Sequence, residues 1–157
     1  MSNLPPTTSR VALHSSEAIS RDHRARIEAR ARYFARRPDL IDQRLRELDH
    51  EWDIERTLEA NAATITLASL VLGATRDRRW LYLSGGVAAF LLQHALQGWC
   101  PPVPVFRRLG VRTMQEINAE RTALKALRGD FRGSMDDPLA GQDPDARATA
   151  ALEGAWR

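Results

Sequence analysis

The sequence predicts an all-α protein: a two-helix transmembrane hairpin flanked by helical polar arms and disordered termini. Three observations predict it. Sixteen residues between Glu59 and Arg76 carry no ionisable side chain. After Arg79, residues 80–106 form a run of twenty-seven without Asp, Glu, Lys or Arg. Outside these runs charge alternates in blocks, with residues 1–37, 38–60, 61–100, 101–133 and 134–157 carrying net +5, −5, +2, +4 and −3. At a charged fraction of 27%, runs of these lengths arise by chance with probabilities of roughly 0.006 and 0.0002, so an apolar surrounding is the better account. The averages over 157 residues, with net charge +3 and 43% hydrophobic residues, conceal this pattern.

Residues 1–15 are rich in Ser, Thr and Pro and are expected to be disordered. They contain no cationic segment followed by an apolar run, so a cleaved secretory signal is not expected and the internal apolar segments must direct membrane insertion. Residues 16–37 read as an Arg-rich helix, with Ser16 as cap, Glu17 at the positive end of the dipole and Arg36 and Arg37 at the negative end. Its apolar stripe of Ile19, Ile27, Ala31 and Phe34 is narrow, so the helix needs a partner or a membrane surface.

Pro38 starts an acidic amphipathic helix over 38–57, in which Ile41, Leu45, Leu48 and Trp52 fall on one stripe. It is expected to lead without a break into the first apolar run, as one helix over about 40–74. The membrane helices are placed at 58–75 and 80–100. The first charge-free run is about 24 Å long, or about 27 Å from Leu58, and the second helix is about 31 Å long, against a hydrocarbon core of about 30 Å. The connector Thr75–Arg79 is short enough to force antiparallel neighbours. Small residues four apart, Ser69 with Gly73 and Gly85 with Ala89, supply the close approach that helices use in lipid. Trp80, Tyr82 and Trp99 suit the two interfaces.

Pro101, Pro102 and Pro104 are expected to stop the second helix. The hairpin segment extends to 111, with Arg107, Arg108 and Arg112 placed to meet anionic lipid headgroups, each worth about 1 kcal/mol near a membrane surface. A polar helix over 112–131 is opened by the capping box Thr113-Met114-Gln115-Glu116 and closed by Gly129. Residues 132–157 read as an acidic disordered tail with one helical turn near 146–152.

Gly98-Trp99-Cys100-Pro101 at the hairpin exit, followed by Leu109-Gly110, resembles the YgaP-like inner-membrane domain family over residues 53–111. That family is a small two-helix domain whose second helix ends in Gly-x-Cys-Pro with Leu-Gly beyond it. The resemblance implies a multi-pass location in a bacterial inner membrane, cytoplasmic termini and self-association through the helices. Some members carry an N-terminal rhodanese domain. Residues 1–52 are too short for one and contain no Cys, so sulfur transfer is not carried over. Arginine counts near the helix ends, six on the terminal side against three in the denser connector, favour cytoplasmic termini only in company with the resemblance.

Cys100 is the single cysteine, which excludes an intrachain disulfide, a CxxC motif and a multi-cysteine zinc site. Three readings are open for it: a small apolar residue at the interface, a site of modification or cross-linking, or, with His94, a haem or other ligand. Six residues of helix separate His94 from Cys100 by about 240° and about 9 Å, so within one helix the two cannot meet and could do so only across protomers. Gln93, His94 and Gln97 are read as hydrogen-bonded packing or as a ligand or proton site near the helix end. No P-loop, dinucleotide fingerprint, zinc spacing or nucleophile-base pair is present, so a non-enzymatic protein without catalytic residues, cofactor or metal is expected. The expected partners are the lipid bilayer, anionic headgroups, a second copy of the chain and a protein partner. Nucleic acid is not expected, since no binding motif or aromatic platform accompanies the basic residues. The alternatives are a soluble Arg-rich helical protein that binds nucleic acid or a protein, and a membrane haem or thiol protein using Cys100.

Overall fold

The computed structural model describes residues 15–131 and 143–156, and these contain helices and turns without a strand. The expected disorder of residues 1–14 and of the tail segment 132–142 lies outside the described residues. The chain divides into two compact units, one chiefly Trp52–Thr113 and the other Ser20–Glu51 with Met114–Arg157.

The second of these units is built on α1, Glu17–Arg36, which opens with Ser16 Oγ accepting the Ile19 amide at 3.3 Å. A 3₁₀ turn, Pro38–Leu40, joins it to α2, Ile41–His50. Ile27, Ala31 and Phe34 of α1 and Ile41, Leu45 and Leu48 of α2 enter a common core. Two later helices complete it: α6, Met114–Arg128, contributes Ile117, Ala123, Leu124 and Leu127, and α7, Pro144–Ala155, contributes Ala148, Ala151 and Leu152. The narrow stripe of α1 therefore finds its partner within the protein. Gly129, at φ 96°, terminates α6, with its amide and that of Asp130 both returning to Lys125 O at 3.1 Å. Only a residue that tolerates positive φ closes a helix this way.

The tail expectation needs correction. α7 is a 12-residue helix, because Ala148, Ala151 and Leu152 recur at three and one and form a stripe that α6 buries. Acidic composition misled, since Asp143 precedes the helix, Glu153 is exposed, and Asp145 pairs with Arg36 of α1 at 2.6 Å.

In the first unit, α3 spans Ile54–Thr75, α4 spans Trp80–Gln97 and α5 spans Val103–Arg108. The expected continuous helix over 40–74 is interrupted at residues 51–53. Asp53 is the cause: it leaves helical geometry at ψ 173° and its side chain caps α3, accepting the Arg56 amide at 2.8 Å. Trp52 consequently leaves the Ile41–Leu48 stripe, stands 49% exposed, and lies under the Arg56 guanidinium at 4.5 Å. Pro38–Thr75 contains, among the described residues, the one helical stretch long and apolar enough to cross a membrane. Gln93, His94 and Gln97 dilute the apolar character of α4.

α4 ends at Gln97, three residues before the expected end at Cys100. Gly98, at φ 77°, donates its amide to His94 O at 2.7 Å and turns the chain. The prolines also act differently from expectation. Pro102 and Pro104 open α5, where a missing amide costs nothing.

Candidate functional site

α3 and α4 pack directly on one another, and midway along the pair the contact is made by two serines. Ser69, 1% exposed, and Ser84, 7% exposed, join their hydroxyls at 2.6 Å. Ser69 Oγ also returns to Ile65 O at 2.7 Å within its own helix. One turn on, Gly73 meets Leu81 so closely that a Cβ there would stand 2.6 Å from Leu81 Cδ2 and 3.4 Å from its amide nitrogen.

Ser69 and Gly73 thus lie at the helix contact, but Gly85 and Ala89 do not. Both are exposed, and nothing lies within 4 Å of a Cβ built on Gly85. The inward positions of α4 are Ser84, Val87, Leu91 and His94, spaced by three, four and three. Small-residue spacing identifies a helix that can be approached closely but not the rotation that presents it.

The outward surface of this pair is apolar. On α3, Ile65, Leu67, Leu70 and Val71 are 45%, 66%, 45% and 55% exposed. On α4, Leu83, Phe90, Leu92 and Leu96 range from 43% to 62%. A helix pair with hydroxyls between its members and large aliphatic side chains outside reverses the partition expected in water.

At the end away from Gly73 the helices leave an apolar cavity of about 290 Å³. Leu58, Ala62, Val87 and Leu91 line it together with Pro101, Pro102 and Phe106. Asn61, His94 and Cys100 supply the polar atoms of its lining. His94 and Cys100 therefore meet at one cavity within a single chain, which the helical projection excluded. The αL turn at Gly98 ends the helix between them and brings Cys100 back. Cys100 itself is 7% exposed and packs with Ile54, Leu58 and Val103, and His94 is 5% exposed.

The arginines expected at lipid headgroups separate into two kinds. Arg108 is exposed. Arg107 is 1% exposed with Nη1 donating to Val111 O at 3.2 Å, and Arg112 is 5% exposed with its carbonyl accepting the Ile54 amide at 2.9 Å. Arg107 follows the buried Val103 by four residues on α5, so it shares the inward face. Neither buried side chain is placed to reach a headgroup, which corrects the expectation for Arg107 and Arg112.

In the other unit a buried carboxylate organises the charges. Glu120, 1% exposed on α6, accepts from Arg44 Nε at 2.8 Å and from Arg30 Nη1 at 3.2 Å. Arg44 continues to Glu47 at 3.0 Å and Glu51 at 3.6 Å. Burial works to lower the Arg44 pKa, but the hydrogen bond and charge of Glu120, with Glu47 and Glu51, outweigh it and raise the value above the ordinary one. The same guanidinium holds Glu47 below the usual carboxylate range. A shallow polar cleft of about 410 Å³ lies between α2 and α6, edged by Arg46, Arg121, Lys125 and Arg128 with Asp42 and Asp49. Sequence reading missed Glu120 and Arg44, whose pairing spans 76 residues. Among the described residues no group of three or more His, Cys, Asp and Glu is placed to hold a metal ion.

The chain matches no protein-family model, no curated protein and no solved structure.

Proposed function

We propose that this protein is a non-enzymatic module of a bacterial inner membrane. In this reading α3 and α4 cross the bilayer as a hairpin, and the charged helical unit is held on the cytoplasmic side for self-association or for docking a protein partner. The observation that carries the reading is the reversed partition of α3 and α4: Leu67 at 66% and Leu92 at 62% exposure outside, and the Ser69–Ser84 hydrogen bond inside. Lipid solvates the first and offers nothing to the second, so both arrangements are favourable there and unfavourable in water.

Lengths agree with this placement. The 22 residues of α3 measure about 33 Å, of which Leu58–Thr75 accounts for about 27 Å, and the 18 of α4 measure about 27 Å, against about 30 Å of hydrocarbon. Aromatic and basic groups stand at both ends of the pair. Trp80 and Tyr82, 42% and 83% exposed, follow the exposed arginines of the connector. Trp52, Arg56 and Arg108 are exposed near the opposite end. This is the distribution that anchors helices at interfaces. Gly85 and Ala89, free of the intrachain contact, face outward where a second copy can approach. The resemblance to the YgaP-like domain gains physical content from Gly98 and Gly110, whose φ values of 77° and 93° explain why the element needs glycine at both places.

The test is two-sided labelling of single cysteines in a Cys100→Ala background. An impermeant maleimide is expected to label Asp77→Cys, in the connector, on intact cells and to label Ser20→Cys only after permeabilisation. Labelling of both positions from the same side contradicts a spanning hairpin.

A further inference from the structure

The α3–α4 pair is closed at one end and open at the other. Gly73 and the Ser69–Ser84 bond hold the connector end, while toward the chain exit the helices part around the cavity of about 290 Å³. We propose that this cavity is a binding site for a small aromatic alcohol, one or two rings carrying a single hydroxyl.

Size is the first argument. A dry apolar cavity of about 150 Å³ accepts benzene, and drug-sized pockets begin near 300 Å³. A volume of about 290 Å³ therefore holds one or two rings and no large ligand. Shape is the second. Rings line it at Phe90, Pro101, Pro102 and Phe106, and such flat, rigid surfaces suit a compact ring better than a long acyl chain. Chemistry is the third. The walls are hydrocarbon, and the polar atoms are gathered on Asn61, His94 and Cys100. Asn61 Nδ2 already donates to Thr57 O at 2.8 Å, which leaves its Oδ1 as an acceptor, and a hydroxyl, able to donate and to accept, can pair with that oxygen or with a ring nitrogen of His94. A ligand with several polar groups would bury them against hydrocarbon without partners. Access is the fourth. Ile65 and Phe90 at the side of the cavity are 45% and 46% exposed, so the mouth opens on the apolar outer surface and admits molecules that dissolve in lipid.

The proposal rests on the membrane reading only for that route of access. The probe is 1-naphthol, with naphthalene as the ring lacking a hydroxyl, titrated against the full chain in lipid nanodiscs and against protein-free discs. Saturable binding of 1-naphthol beyond the protein-free discs is expected. Ala62→Phe, which fills the cavity, is expected to weaken it roughly tenfold. His94→Leu is expected to weaken 1-naphthol roughly fivefold, the worth of one hydrogen bond, and to leave naphthalene unchanged. On the unaltered protein, saturating 1-naphthol is expected to slow reaction of Cys100 with N-ethylmaleimide, a readout that does not depend on whether a variant folds. Uptake equal to that of protein-free discs, an unaffected Ala62→Phe, or unprotected Cys100 overturns the proposal. If the chain does not enter nanodiscs, the membrane reading fails, and the same titration and Cys100 protection in detergent-free buffer decide the cavity on its own.

Discussion

Leu67→Arg is expected to keep the chain out of the bilayer. Leu67 stands 66% exposed on the outer face of α3, midway along the segment from Leu58 to Thr75. In water such a position tolerates arginine, since little packing is lost and exposed substitutions usually change stability by less than about 0.5 kcal/mol. At the centre of a membrane helix the same residue costs about 2.5–3.5 kcal/mol. The ratio of membrane-bound to free chain, read by flotation with liposomes after cell-free synthesis, is therefore expected to fall roughly hundredfold. A matched substitution on the polar arm, Glu28→Arg, is expected to leave flotation unchanged. Equal flotation of Leu67→Arg and the unaltered chain contradicts a lipid-facing α3.

The second large effect belongs to the charged unit. Arg44→Met removes the closest guanidinium from Glu120, which is 1% exposed and keeps the partly exposed Arg30 at 3.2 Å. Breaking one side of a buried ion pair costs about 3–5 kcal/mol, because the remaining charge stays desolvated. Arg30 compensates in part, so the expected loss is near the lower end, about 3 kcal/mol. Hydrogen exchange of the α2 and α6 amides reads this directly as a loss of protection of roughly a hundredfold. Neutralising both partners, Arg44→Met with Glu120→Leu, is expected to restore most of the protection, since an apolar pair of similar volume often replaces a buried ion pair without loss. Unchanged protection in Arg44→Met, or a double variant no better than the single one, contradicts the clamp.

What the sequence disclosed followed from local signals. The charge-free runs located α3 and α4, Ser16 and Gly129 marked helix ends, and the spacing of Ile27, Ala31 and Phe34 marked a buried face. Asp53 and Gly98 carried cap signals of the same kind, but each lay inside an apolar or amphipathic pattern that invited a longer helix. Their local geometry prevailed, so the break at residues 51–53 and the end of α4 at Gln97 were displaced in the reading. Spacing alone could not choose between Gly85 with Ala89 and Ser84 with Val87 as the inward face of α4, because rotation is set by the partner helix. The inward turn of Arg107 depends on where α5 begins, and the Arg44–Glu120 pair depends on tertiary placement across 76 residues. The cavity depends on both, since it exists only because the chain turns at Gly98 and returns Cys100 toward α3.

The placement of α3 and α4 in lipid is the premise for the hairpin and for the side access to the cavity. Alkaline carbonate washing of membranes from cells expressing the full chain tests it most directly. With α3 and α4 in lipid, the protein is expected to stay in the pellet and to enter solution only with detergent. Recovery of the chain in the carbonate supernatant, monodisperse without detergent, contradicts it.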